Sequence, residues 1–219
     1  KYMRRIIELG DGKNVYARYN TNLSRIDYRG INLYRDILSG LRDWQICASI
    51  DGTGRIGEYI RSGLDFNQWL ENLREGLAYS SHRRQIRLDF TLTTPGLFEV
   101  QKIQALSEEL GVDILAKVIF SFSPDIVMSP LALPRSILEP WVDEILGQMP
   151  SGSTPLKDIL VQLKTRPTFQ EQWPDQYKSA IQRGKNRILR LERIRPYCGT
   201  IMDDIVSRRP EVSRWWHAI

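Results

Sequence analysis

The 219-residue chain has few of the side chains on which metal and nucleophile sites depend. It contains two cysteines, Cys47 and Cys198, and two histidines, His82 and His217. Two thiols are too few for a disulfide-stapled miniprotein. The histidines show no metal-ligand spacing, which argues against zinc and against a serine–histidine–acid triad. With two thiols and no secretory leader, we expect a reducing, cytoplasmic setting.

Long apolar runs are also missing. No stretch of about 18 apolar residues occurs, so the sequence predicts no membrane-spanning helix. No phosphate-loop pattern is present. The composition, 42% hydrophobic and 26% charged, is typical of a soluble domain and excludes a disordered or collagen-like chain.

Positive charge is concentrated near the end of the chain. The whole chain carries a net charge of +5, whereas residues 151–219 alone carry +6, from 13 basic minus 7 acidic side chains. A solvated helical face is the simpler interpretation of this basic segment. The alternative is a non-enzymatic binding module whose basic C-terminal helix contacts nucleic acid or another acidic partner.

The first 150 residues alternate between strand and helix patterns. Apolar or alternating runs predict strands at residues 15–19, 45–50, 86–92 and 114–122. Helical spacing predicts helices at 31–41, 66–77, 98–110 and 137–146. One helix between successive strands is βαβ spacing, which predicts an α/β fold with a parallel sheet.

A Ser/Gly/Pro linker at residues 150–153 divides the chain into two predicted parts. Residues 1–149 form the α/β part, and residues 150–219 form a basic, helical C-terminal extension with helices near 176–195 and 200–206. We expect the extension to pack against the first part, with Trp215 and Trp216 covering it.

Polar and small residues follow each predicted strand, at 20–22, 49–52, 93–94 and 121–123. Ligands of parallel α/β proteins bind at these carboxyl ends. Ser49 and Asp51 can hydrogen-bond ribose hydroxyls or an ammonium group, and Arg61 can bind a carboxylate in bidentate fashion. The structural alternative is that Asp51-Gly52 is only a turn and that Arg61 pairs with Glu58 on the surface.

The order of these motifs resembles the later half of radical S-adenosylmethionine enzymes that carry a SPASM extension or a shortened, twitch-like one. The resemblance covers roughly residues 10–148. It rests on three runs: Asn20-Thr21-Asn22, Ser49-Ile50-Asp51-Gly52 and Glu58-Tyr59-Ile60-Arg61-Ser62-Gly63. It implies a partial (βα) barrel that holds S-adenosylmethionine and a 4Fe-4S cluster. Such enzymes generate a 5′-deoxyadenosyl radical and modify a peptide or small-molecule substrate.

The resemblance also implies roles for individual residues. Thr21 and Asn22 would lie beside the cofactor, and Ser49 and Asp51 near its ribose and methionyl parts. Arg61 would bind its carboxylate. Thr94 would line the adenosine side of the cofactor.

The chain departs from the family in one large respect, because it has no CxxxCxxC loop to hold the cluster. Cys47 and Cys198 cannot replace that loop, since ligation takes several thiolates. It also has fewer predicted strands than the family's barrel. We therefore expect a C-terminal portion of a longer enzyme, inactive alone, whose first βα units precede residue 1. Cys198 is the only cysteine in the tail, which favours a shortened extension over a full SPASM one.

Overall fold

The computed structural model describes residues 2–120 and 126–219. Four parallel strands form its central sheet, in the order β1–β4–β5–β6, and a separate antiparallel ribbon joins β2 to β3. The strands are β1 Tyr16–Thr21, β2 Asp27–Tyr28, β3 Ile31–Asn32, β4 Asp43–Ile50, β5 Ile86–Leu92 and β6 Asp113–Val118.

The predicted α/β class and parallel sheet are therefore confirmed. β5 has the predicted bounds, whereas β6 ends at Val118, before residues 119 and 120 that were also expected to be extended. The rest of that prediction, residues 121 and 122, lies outside the described residues, as does the predicted turn at 121–123.

Ten α-helices occur in the described residues. They are α1 Tyr2–Glu8, α2 Gly54–Ile60, α3 Phe66–Tyr79, α4 Val100–Leu110, α5 Arg135–Gln148, α6 Pro155–Thr165, α7 Phe169–Gln172, α8 Pro174–Ile194, α9 Met202–Val206 and α10 Pro210–Ala218. Two predicted helix ends have the expected chemistry. The Asp65 side chain accepts a hydrogen bond from the Gln68 amide at 3.0 Å, and Gly111 ends α4 with a φ of 65°.

The predicted helix at residues 31–41 is wrong. Its first two residues form β3, and a π-helical turn at Leu33–Ile37 and a 3-10 helix at Leu38–Gly40 follow. The Asn32 side-chain oxygen accepts hydrogen bonds from the amides of Tyr34 and Arg35, at 2.9 and 3.0 Å. Such side-chain bonds compete with regular helix geometry, so helical spacing of apolar residues was not sufficient here.

The two faces of the central sheet differ in character. One face is almost entirely apolar and lies in the same hydrophobic cluster as buried residues of α3 and α4. Its residues include Trp44, Ile46, Ala48, Ile50, Ile86, Leu88, Phe90 and Leu92. The other face, which we call the polar face, carries Arg18, Asn20, Gln45, Cys47, Ser49, Arg87, Asp89, Thr91, Leu115 and Lys117.

The C-terminal helices pack against the α/β part. α6 lies against the edge strand β6, and one hydrophobic cluster contains residues from both parts of the chain. Trp215 and Trp216 are 7% and 0% exposed within that cluster, as expected. Among the described residues, none of the helices combines the length and the apolar character needed to cross a bilayer.

Candidate functional site

A cavity of about 690 Å³ opens at the carboxyl ends of β4, β5 and β6. We call it the strand-end cavity. Its floor includes Asp51, Thr91, Thr93 and Ile119, all at or just beyond strand ends. One side is formed by residues between 58 and 67, and the other by the last turns of α8 and the segment that follows it, residues 195–201. The cavity thus lies where parallel α/β sheets bind ligands.

An ion pair lies at the edge of this cavity. The Nε of Arg61 is 2.8 Å from Oδ2 of Asp51, and Nη2 donates to Oδ1 at 3.2 Å. Both side chains are largely shielded, at 29% and 11% exposed. The alternative pairing of Arg61 with Glu58 does not occur, because Glu58 instead accepts a hydrogen bond from the Phe66 amide at 3.0 Å. The structure therefore brings Asp51 and Arg61 together, as a pair.

The C-terminal extension forms the cavity's cover and is tied to α2. The Tyr59 hydroxyl donates to Oε1 of Glu192 at 2.7 Å, and the same oxygen accepts from the Met202 amide at 2.7 Å. Burial, followed by the neighbouring Glu192 carboxylate, raises the pKa of Tyr59, so the phenol stays protonated and keeps donating. Arg55 also donates to the Gly199 carbonyl at 3.2 Å.

The polar face carries charge up to the cavity. The Nζ of Lys117 lies 2.7 and 2.9 Å from the two carboxylate oxygens of Asp89, which is 2% exposed. Ser49 is paired with Asp89 in register on the neighbouring strand. The buried Nε of Arg87, on the same face, has no hydrogen-bond partner among the described residues. A parallel sheet is normally covered by apolar layers on both faces, so a charged face is a departure that ligand binding would explain.

Of the predicted site residues, Asp51 lines the cavity, and Arg61 lies outside the lining as its ion-pair partner. The others also lie outside the lining. Thr21 and Asn22 cap the turn after β1, accepting hydrogen bonds from the amides of Leu23 and Ser24 at 3.1 and 3.3 Å. Ser49 lies on the polar face, two residues before Asp51 in the sequence, and does not line the cavity.

Thr94 is 1% exposed and is also absent from the lining. Its amide donates to the Met128 carbonyl at 2.8 Å, while its buried hydroxyl has no partner among the described residues. Met128 itself does line the cavity. Thr94 is therefore one residue removed from the cavity and joined to it through the backbone.

Several residues of this region were missed in the sequence. Arg87 and Asp89 could have been found, because β5 alternates apolar and polar residues and therefore has one polar side. Tyr59, Glu192 and the segment 195–201 could not, since only the tertiary fold brings α8 next to α2.

The glycines after β4 match the spacing of a dinucleotide-binding motif. Gly52, Gly54 and Gly57 follow a strand and open a helix with G-x-G-x-x-G spacing, as in dinucleotide-binding loops. A Cβ on Gly57 would lie 2.2 Å from the Gly52 carbonyl oxygen, so the glycines permit close packing of this turn. The loop's Thr53 amide donates to the buried Glu99 carboxylate at 3.1 Å. An acidic side chain thus occupies the position that a phosphate would take, which argues against a dinucleotide there.

The two cysteines lie in separate places. Cys47 is fully buried in β4, and Cys198 lines the strand-end cavity with its thiol directed at the Thr200 carbonyl, 3.7 Å away. Among residues 2–120 and 126–219, no three His, Cys, Asp or Glu side chains are grouped so that they could hold a metal ion.

Comparison with known proteins yields no relatives. No protein-family model matches the chain, and neither the curated proteins nor the solved structures contain a significant match.

Proposed function

We propose that this chain is the later portion of a radical S-adenosylmethionine enzyme and that its strand-end cavity and polar face bind S-adenosylmethionine and a substrate. The observation that carries the proposal is the Asp51–Arg61 pair beside a cavity at the carboxyl ends of parallel strands. The resemblance assigned a carboxylate-binding role to Arg61, and the arginine is positioned by a neighbour rather than free on the surface.

The residues present fit the amino-acid end of S-adenosylmethionine. In the proposal, Arg61 binds the methionyl carboxylate, and Asp51 holds the guanidinium group in place while accepting a hydrogen bond from the ammonium group. Ser49 offers a hydroxyl on the polar face. The Asp51 carboxylate and the Arg61 guanidinium are largely shielded from water. Solvent therefore weakens their interaction with a ligand less than it would weaken a surface contact.

The residues present do not fit an iron–sulfur cluster. Cluster ligation takes several thiolates, and the two cysteines of this chain lie in separate places, one buried in β4 and one beside the cavity. In the proposal, the 4Fe-4S ligands therefore belong to a preceding part of the same protein. The role of this chain is limited to binding and orienting S-adenosylmethionine and its peptide or small-molecule substrate.

The edge of the sheet supports that arrangement. β1 pairs with β4 on one side and has no strand partner on the other among the described residues. Its alternate side chains Tyr16, Arg18 and Asn20 are exposed. An unpaired edge strand can accept a further strand through its backbone groups. In the proposal, strands from the preceding part continue the sheet at β1 and extend it into a partial (βα) barrel.

Isothermal titration calorimetry with S-adenosylmethionine tests the proposal. We expect the chain to bind, and we expect Arg61→Gln to weaken binding at least about tenfold, because a hydrogen bond to a charged group contributes about 1.5–3 kcal/mol. The matched control is Arg74→Gln, which removes an exposed arginine that pairs with Glu109 and leaves the cavity intact. No binding by the unaltered chain, or equal affinities for the Arg61 and Arg74 variants, would contradict the proposal.

A further inference from the structure

From Lys178 to Arg193, the exposed charged side chains of α8 are all positive, whereas Asp175 is exposed in its first turn. Lys178, Arg183, Arg190 and Arg193 are exposed on α8. None of the four forms an ion pair with another residue in the described part of the chain. The acidic residue in this stretch, Glu192, is turned inward and bonded to Tyr59. We call Arg183, Arg190 and Arg193 the basic strip.

The basic strip leads to the strand-end cavity. Arg187, on the same helix, and Arg195, just after it, both line the cavity and are both exposed. At 1.5 Å of rise per helical residue, α8 from Arg183 to its end at Ile194 spans about 16 Å. A ligand that lies along the strip therefore reaches the cavity mouth within a few residues of extended chain.

Charge of the opposite sign lies on the other side of the cavity. Glu58 in α2 and Asp65 after it line that side, whereas Asp51 lies on the floor and is paired with Arg61. The α8 side of the cavity thus has two arginines, Arg187 and Arg195, and one carboxylate, Glu192, which is bonded to Tyr59. The α2 side has two carboxylates, Glu58 and Asp65, and no basic residue in the lining. A ligand that fits both sides carries negative charge outside the cavity and neutral or positive groups inside it.

We propose that the basic strip binds an acidic segment of a peptide, whose neighbouring neutral or basic residues enter the strand-end cavity. A peptide can segregate its charges in this way. A nucleic acid strand cannot, since it carries a phosphate at every nucleotide and would place phosphates against Glu58 and Asp65. The peptide's fate in the cavity rests on the proposed function, but its binding to α8 does not.

Fluorescence anisotropy tests this with a fluorescein-labelled peptide of glutamates followed by glycines. We expect the chain to bind it, with affinity that falls as salt rises. Arg183→Glu/Arg190→Glu/Arg193→Glu should weaken binding at least tenfold. The matched control is Arg25→Glu/Arg42→Glu/Arg84→Glu, which reverses three exposed arginines elsewhere for the same change in net charge. The control should stay within about threefold, since distant surface charges are screened.

Three results would overturn the inference: no binding, equal weakening in the two triple variants, or tighter strip-dependent binding of a labelled single-stranded RNA than of the peptide. Circular dichroism of each variant verifies folding. If the α8 variant does not fold, the Arg183→Gln/Arg190→Gln/Arg193→Gln variant takes its place in the same assay. Calorimetry with S-adenosylmethionine separates the two proposals. The α8 variant should lose peptide affinity and keep S-adenosylmethionine affinity.

Discussion

The two faces of the central sheet use the same strands for different purposes, and β5 shows the contrast residue by residue. Its even-numbered residues, Ile86, Leu88, Phe90 and Leu92, are at most 1% exposed and join the hydrophobic core. Its odd-numbered residues, Arg87, Asp89 and Thr91, face the polar side, where Thr91 lines the strand-end cavity. Alternation in a strand normally separates core from water. Here it separates core from a candidate binding surface.

This difference indicates where stability and function reside. Burial of large apolar side chains stabilises the fold through one face. The other face retains a buried carboxylate, an arginine with a buried and unpartnered Nε, and an open cavity. Groups of that kind contribute little to folding unless their hydrogen bonds are complete. Substitutions on the two faces should therefore separate stability from binding.

The largest effect is expected on the apolar face. Phe90→Ala should lower the free energy of unfolding by about 3–5 kcal/mol, because it leaves a cavity in the core. Thr91→Ala, the neighbouring residue on the polar face, should cost about 1 kcal/mol or less. Urea unfolding followed by circular dichroism measures both. Similar losses for the two variants would show that the faces do not differ as described.

A smaller effect is expected from the ion pair on the polar face. The Asp89 side chain is 3% exposed, whereas that of Lys117 is 53% exposed. Lys117→Met leaves a buried carboxylate unpaired and should cost up to about 3 kcal/mol. Asp89→Asn leaves a lysine that water can reach and should cost about 1–2 kcal/mol. Urea unfolding of the two variants at neutral pH would contradict the burial assignment if Asp89→Asn were the more damaging.

The smallest effect is expected from an exposed pair away from the sheet. The Glu171 carboxylate binds the Arg135 guanidinium at 2.8 Å and accepts from the Thr168 amide at 2.6 Å. These contacts lower the pKa of Glu171 from 4.5 to about 2, and the contact with Arg135 has the largest effect. Because the folded pKa is depressed, this stabilisation is present above pH 4.5 and is lost as pH falls toward 2.

Glu171→Gln should therefore remove part of the decline in stability between those pH values. The change should stay below about 1 kcal/mol, because Glu171 is 42% exposed and solvent screens the pair. Urea unfolding across this pH range would contradict the assignment if the variant declined as steeply as the unaltered chain.

Local sequence patterns predicted the sheet well, but they did not predict side-chain hydrogen bonds or contacts between distant residues. The bounds of β5, the cap at Asp65 and the glycine at 111 follow from residues close in sequence. The turn after β3 follows from them only in part, since Asn32 also donates to Glu75, 43 residues away, at 2.8 Å.

The candidate site was predictable to a similar extent. Asp51 and Arg61 were singled out because both follow the same strand, and the structure pairs them. Their role in binding stays a prediction. The cover of the cavity was not found, because it depends on contacts such as Tyr59 with Glu192, which are 133 residues apart. Loop chemistry is local, whereas a cavity is formed by segments that only the tertiary fold brings together.

The most direct test of the account is a titration of the isotope-labelled chain with S-adenosylmethionine, followed by amide chemical shifts in NMR. We expect the largest changes at the carboxyl ends of the strands, at Ser49, Asp51, Arg61 and Thr91. Amides at the opposite end of the sheet, at Asp43 and His82, should not move. Unchanged spectra, or shifts confined to the Asp43 end, would contradict the assignment of the polar face and the strand-end cavity as the binding site.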